Sequence, residues 1–238
     1  MTLYKSIVDD LITLGSVSPY KADANEPDPR YKSYGVRAAG KKQVIRTHRA
    51  AIRALSRAEK LALAHKLVQS RVGEQQSVAL HILEQLVDHF TPGKFAELDS
   101  IVRCLHGWSK IDSYTGSLLR DVLLRHPTAM IDLVHQWNQA EDMWLRRTSV
   151  VLFTRKIARA GRFNDVAFEM CNKLLEAPEP LVQKGVGWCL KDMMHSDKAR
   201  VIAYVKQLRA AGVPSTITLY AIKDLKGKER NDVLGRAV

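Results

Sequence analysis

Met143-Trp144-Leu145-Arg146-Arg147-Thr148-Ser149-Val150-Val151-Leu152 is echoed by Pro180-Leu181-Val182-Gln183-Lys184-Gly185-Val186-Gly187-Trp188-Cys189, with Trp144 falling on Leu181, 37 residues on. Glu74 to Leu86 and Trp108 to Leu119 fall at similar intervals upstream. Helix pairs that repeat every ~40 residues cannot bury their apolar faces alone and stack on their neighbours, which is the pattern of HEAT-like solenoids. Such an array carries a concave face suited to a long partner. An irregular helical bundle is the alternative.

Outward from that repeat, helical periodicity hardly stops after Gly40. Spacing of apolar residues predicts helices over 40–54, 56–71, 74–90, 93–104, 108–125, 128–139, 142–160, 163–175, 179–194, 197–211 and 215–225. Breaks fall at Gly73, Thr91-Pro92-Gly93, His126-Pro127, Gly161, Pro178 and Pro180, and Gly212-Val213-Pro214. A short amphipathic helix is expected over 2–14, with Leu3, Ile7, Leu11 and Leu14 on one stripe. Residues 15–34, rich in Pro, Asp and Asn, read as a loop or arm. No segment alternates as a strand would. The fold class is all-α, a HEAT-like helical-repeat solenoid with a concave basic face, forming one domain over 1–238.

Composition narrows the partners. Of 238 residues, 46% are hydrophobic and 26% charged, which is ordinary for a globular chain. The formal net charge of +12 favours a polyanion, nucleic acid first. Between Tyr31 and Gly73 lie eleven cations and one acid, Glu59, so +10 of the +12 sits there. Lys42, Arg46, Arg49 and Arg53 are spaced 4, 3 and 4 apart and draw one basic stripe on a helix, with Val44, Ile45, His48, Ile52 and Leu55 facing inward. A run of charge is usually a solvated face. One with almost no compensating acid repels itself unless it meets phosphate. Cys104, Cys171 and Cys189 show no ligand spacing, and the eight histidines show no paired motif, so no metal and no cofactor are expected. Asp9 and Asp10 stand where a signal peptide would be apolar, and no run approaches a membrane span. A soluble cytoplasmic monomer, nucleoid-associated through DNA and without a membrane partner, is the expectation.

The chemistry gathers around Gly107-Trp108-Ser109-Lys110-Ile111-Asp112-Ser113. Trp108 and Asp112 are four apart at a helix start, so an indole and a carboxylate share one face. An Asp favoured by the helix dipole beside a packing Trp is the plain alternative. Trp108, Asp112, Arg147 and Trp188 each lie near the start or middle of a helix in successive repeats, so they are expected to converge on the concave wall. For Arg147 the alternative is an ordinary surface arginine. For Trp188, between Gly187 and Cys189, it is space filling. Trp137 and Trp144 read as core, and Tyr31 and Tyr34 either touch DNA or tether the arm.

These segments, with Trp144-Leu145-Arg146-Arg147 and Gln183-Lys184-Gly185-Val186-Gly187-Trp188, resemble the DNA alkylation repair glycosylases of the AlkD type over about residues 30–210. His126-Pro127 and Tyr34-Gly35-Val36-Arg37 are weaker matches. The resemblance implies a catalytic cleft formed by Trp108 and Asp112, completed by Trp188, with Arg147 on the DNA backbone near the lesion. It also implies release of N3- or N7-alkylated purines from duplex DNA. Arg37, Lys41, Lys42, Arg46 and Arg49 are then backbone-binding. Three departures stand out: Arg37 replaces a polar amide, the arm is shorter between Tyr31 and Gly35, and Pro214-Ser215-Thr216-Ile217-Thr218-Leu219-Tyr220 lacks a Ser/Arg-rich start.

Those residue types suit the reaction. An alkylated purine already carries positive charge and leaves without a general acid, while positive charge develops on the deoxyribose. A carboxylate about 4 Å away contributes about 4 kcal/mol at an effective dielectric of 20, and half of that gives roughly thirtyfold in rate. Each indole adds about 0.5–2 kcal/mol by cation–π attraction. A non-catalytic paralogue that binds bent or branched DNA is the first rival reading. A HEAT-like protein scaffold is the second.

Overall fold

The computed structural model describes residues 1–17 and 30–236, so the arm expected over 15–34 falls largely outside the described residues. Among the described residues the structure is all-α. The only strand-like feature is an isolated parallel bridge between Lys32 and Val72. No described helix is long and apolar enough to cross a membrane. The chain forms two compact units, Met1–Arg125 and His126–Val238.

In the first unit, α1 (Leu3–Val17) packs on α2 (Ala38–Ala54), and α3 (Arg57–Gln69) packs on α4 (Gly73–Leu83). The inward stripe of α2 is Val44, His48 and Ile52, all buried, while Ile45 and Leu55 are partly covered. His48 Nε2 meets Asp10 Oδ2 at 2.8 Å and ties α2 to α1. Ser56 opens α3 with a capping box: its hydroxyl accepts from Glu59 N, and the Glu59 carboxylate accepts from Ser56 N at 2.8 Å. A 3-10 segment, Glu84–His89, and a shorter one at Pro92–Lys94 lead to α5 (Phe95–Val102). Then α6 (Trp108–Tyr114) runs through a π turn, Thr115–Leu119, into α7 (Arg120–Arg125). Arg120 Nη1 donates to Gly116 O at 2.6 Å, supplying a carbonyl inside the turn with a side-chain partner.

In the second unit α12 (Pro180–Ala210) is the hub. It packs against α9 (Met143–Val151), α10 (Arg155–Ala160), α11 (Asn164–Asn172), α13 (Ser215–Ala221) and α14 (Gly227–Leu234), while α8 (Pro127–Asn138) packs on α9. Its backbone breaks at Asp197 (φ −148°, ψ 61°), so two helices meet where the sequence places a boundary. The helix expected over 74–90 ends as an α-helix at Leu83, the rest being the 3-10 segment with non-helical angles at Leu86. Two further differences stand out. The helix expected over 142–160 is interrupted between α9 and α10, because Arg155 takes a left-handed φ of 55°. The helix Gly227–Leu234 is polar on most faces and buries only Val233, so it has no apolar stripe to announce it.

A spacing of one repeat recurs in the side-chain bonds of both units. Tyr114 Oη donates to Gln76 O (38 residues), Asn138 Nδ2 to Met170 O (32), Arg147 Nη1 to Leu181 O (34) and Ser196 Oγ to Ala158 O (38). Within each unit, successive helix pairs are thus tied together by side chains that donate to main-chain carbonyls.

Glu97 on α5 is a second kind of joint. Its two oxygens meet His65 Nε2 and His89 Nε2, each at 2.7 Å, linking α3, the 3-10 segment and α5. Burial pushes its carboxyl up, but the hydrogen bonds from His89 and His65, with their charge, outweigh this and hold it below its ordinary 4.5. A depressed carboxylate adds stability above the unfolded value and loses it as pH falls through the folded one. Urea melts are therefore expected to show wild type losing stability below pH 4.5 more steeply than Glu97→Gln.

Candidate nucleic-acid interface

The first unit carries the indole–carboxylate pair. Gly107 precedes α6 with φ 80° and ψ 142°, a backbone region that L side chains rarely enter, so glycine is required there by conformation alone. A Cβ at Gly107 would meet nothing within 4 Å. Its carbonyl accepts from Lys110 N (3.1 Å) and Ile111 N (3.2 Å), which starts the helix at Trp108. Ile111 and Tyr114 are buried, so the helix presents its other side outward. Trp108 is 46% exposed, and Asp112, one turn on, is half-buried. A large indole left half in solvent beside a carboxylate marks a contact surface more than a core position.

Lys110 points elsewhere on α6. Its Nζ donates to Ser77 Oγ at 2.6 Å. Burial first, and the charge of Lys41 second, lower its pKa to about 8, with Glu74 opposing in part. The loop before Trp108 is anchored from the other side of the chain. Tyr31 stacks on His106 at 4.1 Å, and its hydroxyl donates to Cys104 O at 2.8 Å. Tyr34 Oη accepts from Gln75 Nε2 at 2.8 Å. Both tyrosines therefore act as tethers.

The basic stripe starts from the Tyr34-Gly35-Val36-Arg37 segment, and the carboxylate that shapes it, Glu74, is what sequence reading missed. Glu74 is 4% exposed and accepts from Ser33 Oγ (2.7 Å), Tyr34 N (3.1 Å) and Val36 N (3.1 Å). One buried carboxylate thus shapes Ser33-Tyr34-Gly35-Val36, and Arg37 emerges as the residue that precedes α2. Arg37, Lys42, Arg46 and Arg49 are exposed, and Lys41 is half-buried. None of these five forms an ion pair with a described residue.

In the second unit, Arg147 is only 4% exposed, and its Nη1 donates to Leu181 O at 2.6 Å, fixing α9 to the first turn of α12. Trp188 is half-buried, two turns further along α12. The glycines beside it allow close approach on both sides. A Cβ at Gly187 would lie 2.7 Å from Ile217 O on α13, and one at Gly185 would lie 3.3 Å from Val150 Cγ2 on α9. The glycines therefore serve helix packing and leave the indole outside it. Trp137 and Trp144 are core, at 0% and 5% exposure. The structure thus places Trp108 and Asp112 together in one unit, and Arg147 and Trp188 together in the other.

Residues 27–225 match a family described as DNA alkylation repair enzyme. The chain belongs to the DNA alkylation repair enzyme family. Its fold is similar to a solved structure described as a "Predicted DNA alkylation repair enzyme from Enterococcus faecalis", with a TM-score of 0.71 at 17% identity, covering 83% of this chain and 90% of that one. No curated protein matches the sequence. Membership of a DNA alkylation repair family gives the cationic stripe of α2 its natural partner, DNA.

Sequence reading also missed a second cationic stretch. From Met143 to Asn164 there are six cations (Arg146, Arg147, Arg155, Lys156, Arg159 and Arg162) and no acid. The signal was present as a run of 22 residues without a carboxylate, but the larger excess over 31–73 masked it. Among the described residues no group of three or more His, Cys, Asp or Glu is placed to hold a metal.

Lys110 gives a pH test of this arrangement. Its folded value of about 8 lies below the ordinary 10.5, so between those values the unfolded chain holds a proton that the folded chain has released. Stability then rises with pH across that window. Urea melts are expected to show this rise in wild type and to lose it in Lys110→Met.

Proposed function

We propose that the protein is a monofunctional DNA glycosylase that hydrolyses the N-glycosidic bond of cationic N3- or N7-alkylpurines in duplex DNA. The observation that carries the reading is the half-exposed Trp108 one helical turn from Asp112, in a chain of the DNA alkylation repair enzyme family. The C1′–N bond breaks with its electron pair going to the purine, which leaves as a neutral base because the alkyl group had already made it cationic. The deoxyribose is left as an oxocarbenium ion. Asp112 stabilises that charge and orients the water that attacks C1′, whose second proton passes to solvent. Trp108 supplies an aromatic face that the cationic sugar prefers, and Trp188 in the second unit is assigned the same kind of contact.

Phosphate contacts hold the duplex in register and carry no sequence information. Arg37, Lys41, Lys42, Arg46 and Arg49 are assigned to them. Arg147 is assigned as the phosphate clamp, the bond from its Nη1 to Leu181 O giving the guanidinium a fixed direction. The recurring bonds one repeat apart support a HEAT-like array, which suits a long duplex partner. The protein acts as a monomer in base excision repair, in the cytoplasm on the nucleoid.

The test is release of free base from a duplex carrying one N7-methylguanine, for wild type beside Asp112→Asn, which keeps shape and removes charge. Wild type is expected to release base, and the variant at least about tenfold more slowly in single turnover with duplex binding kept. Binding should weaken steeply as salt rises. No release by wild type, with tight salt-dependent binding, would identify a DNA-binding relative without the chemistry. Equal rates would leave a glycosylase and remove Asp112 from its mechanism.

A further inference from the structure

Trp-x-x-x-Asp occurs twice, as Trp108/Asp112 on α6 and as Trp188/Asp192 on α12. The second pair is used differently. Asp192 is 6% exposed, its Oδ1 meets Lys191 Nζ at 2.9 Å, and its Oδ2 accepts from the backbone N–H of Arg155 at 2.7 Å. The carboxylate is thus occupied by a cation and a main-chain group. Arg155 itself sits at φ 55°, in the left-handed region that a long side chain rarely occupies. Its guanidinium lies over the Trp188 ring at 4.5 Å. One turn of α12 therefore grips a single residue twice, Asp192 by its backbone and Trp188 by its side chain.

Strained backbone persists only where the surroundings over-determine it, and it concentrates at functional positions. Here the strain has a definite product. The α12 backbone at Trp188 is closely packed, because Gly185 and Gly187 bring it against α9 and α13. The freedom left to Trp188 is rotation of its side chain. A planar cation lying over the indole restricts that rotation, and the half-buried ring keeps part of its surface for a ligand.

We infer that Arg155 is a positioning residue: it fixes the orientation of the Trp188 indole so that one face is presented to the deoxyribose of the lesion. This rests on the glycosylase reading for the identity of the ligand, but the orienting contact is a property of the protein alone. The residues that follow it suit the same partner. Lys156 and Arg159 on α10 and Arg162 just after it are exposed, form no ion pair with a described residue, and would meet duplex phosphates.

Arg155→Gly separates positioning from folding. Glycine accepts the left-handed backbone without strain, so the substitution removes the guanidinium while relieving the local conformation. The protein is labelled with 5-fluorotryptophan, the Trp188 resonance is assigned with Trp188→Phe, and melting temperature and single-turnover release of N7-methylguanine are measured. Expected are an unchanged or higher melting temperature, a displaced Trp188 resonance, and release slowed about tenfold. Arg155→Asn, which also tolerates this backbone, should repeat the result. An unmoved Trp188 resonance would overturn the inference, as would a displaced resonance with an unchanged rate, or a rate loss matched by a fall in melting temperature. Should wild type release no base, the glycosylase reading fails by itself, and the resonance alone decides whether Arg155 orients Trp188.

Discussion

The constraint on which both halves of the molecule depend is the pairing of main-chain groups at the seams between successive helix pairs. Apolar stripes press the helices together, but they do not fix the register of one pair on the next. Buried polar side chains do. Glu74 collects two backbone N–H groups and a hydroxyl from Ser33-Tyr34-Gly35-Val36, Arg147 takes the carbonyl of Leu181, and Asp192 takes the N–H of Arg155. Each would cost about 1–3 kcal/mol if left unpaired in a dry seam, so the geometry that satisfies it is strongly preferred. The same three joints set the residues the protein is proposed to use: Glu74 releases Arg37 and α2, Arg147 sets the start of the helix that bears Trp188, and Asp192 places Arg155.

Most of the fold was legible in the sequence because helix stacking is a repeated solution to one problem. A helix of two faces writes its period into the chain, and Gly or Pro marks its ends. The echo of Met143–Leu152 in Pro180–Cys189 survives because both open a helix that must present the same inward pattern. What was not legible has physical reasons. An arginine at φ 55° carries no punctuation, since the long-range bond to Asp192 and the stack on Trp188 hold it there and local preference does not. Gly227–Leu234 has too little apolar surface to show a period. The π turn after Tyr114 keeps helical spacing on both sides and therefore reads as uninterrupted helix.

The site was legible to a different depth. Spacing puts Trp108 and Asp112 on one face, and the exposure of that indole agrees with a surface role. Spacing puts Trp188 and Asp192 on one face as well, yet Asp192 lies in the interior and is neutralised by Lys191. Sequence cannot separate the two pairs, because the difference lies in Lys191 and Arg155, and Arg155 reaches Asp192 across 37 residues. Likewise Lys110 sits between Trp108 and Asp112 in sequence, and helical geometry turns it away, to Ser77 and the charge of Lys41.

Among the described residues two arginines adopt the left-handed backbone, and both lay their guanidinium on an aromatic ring. Arg71 lies over Tyr31 at 5.7 Å, and Tyr31 stacks on His106, two residues before Trp108. Arg155 lies over Trp188 directly. The cost of each conformation is about 1–2 kcal/mol, comparable to what one cation–π contact contributes. Neither conformation therefore adds stability on balance. Both make sense where an aromatic surface has to be stiff before its ligand arrives, since a side chain already ordered loses no rotamer entropy on binding. For a protein proposed to find an alkylated base in DNA, phosphate contacts would supply affinity everywhere. Discrimination has to come from a few groups that do not move.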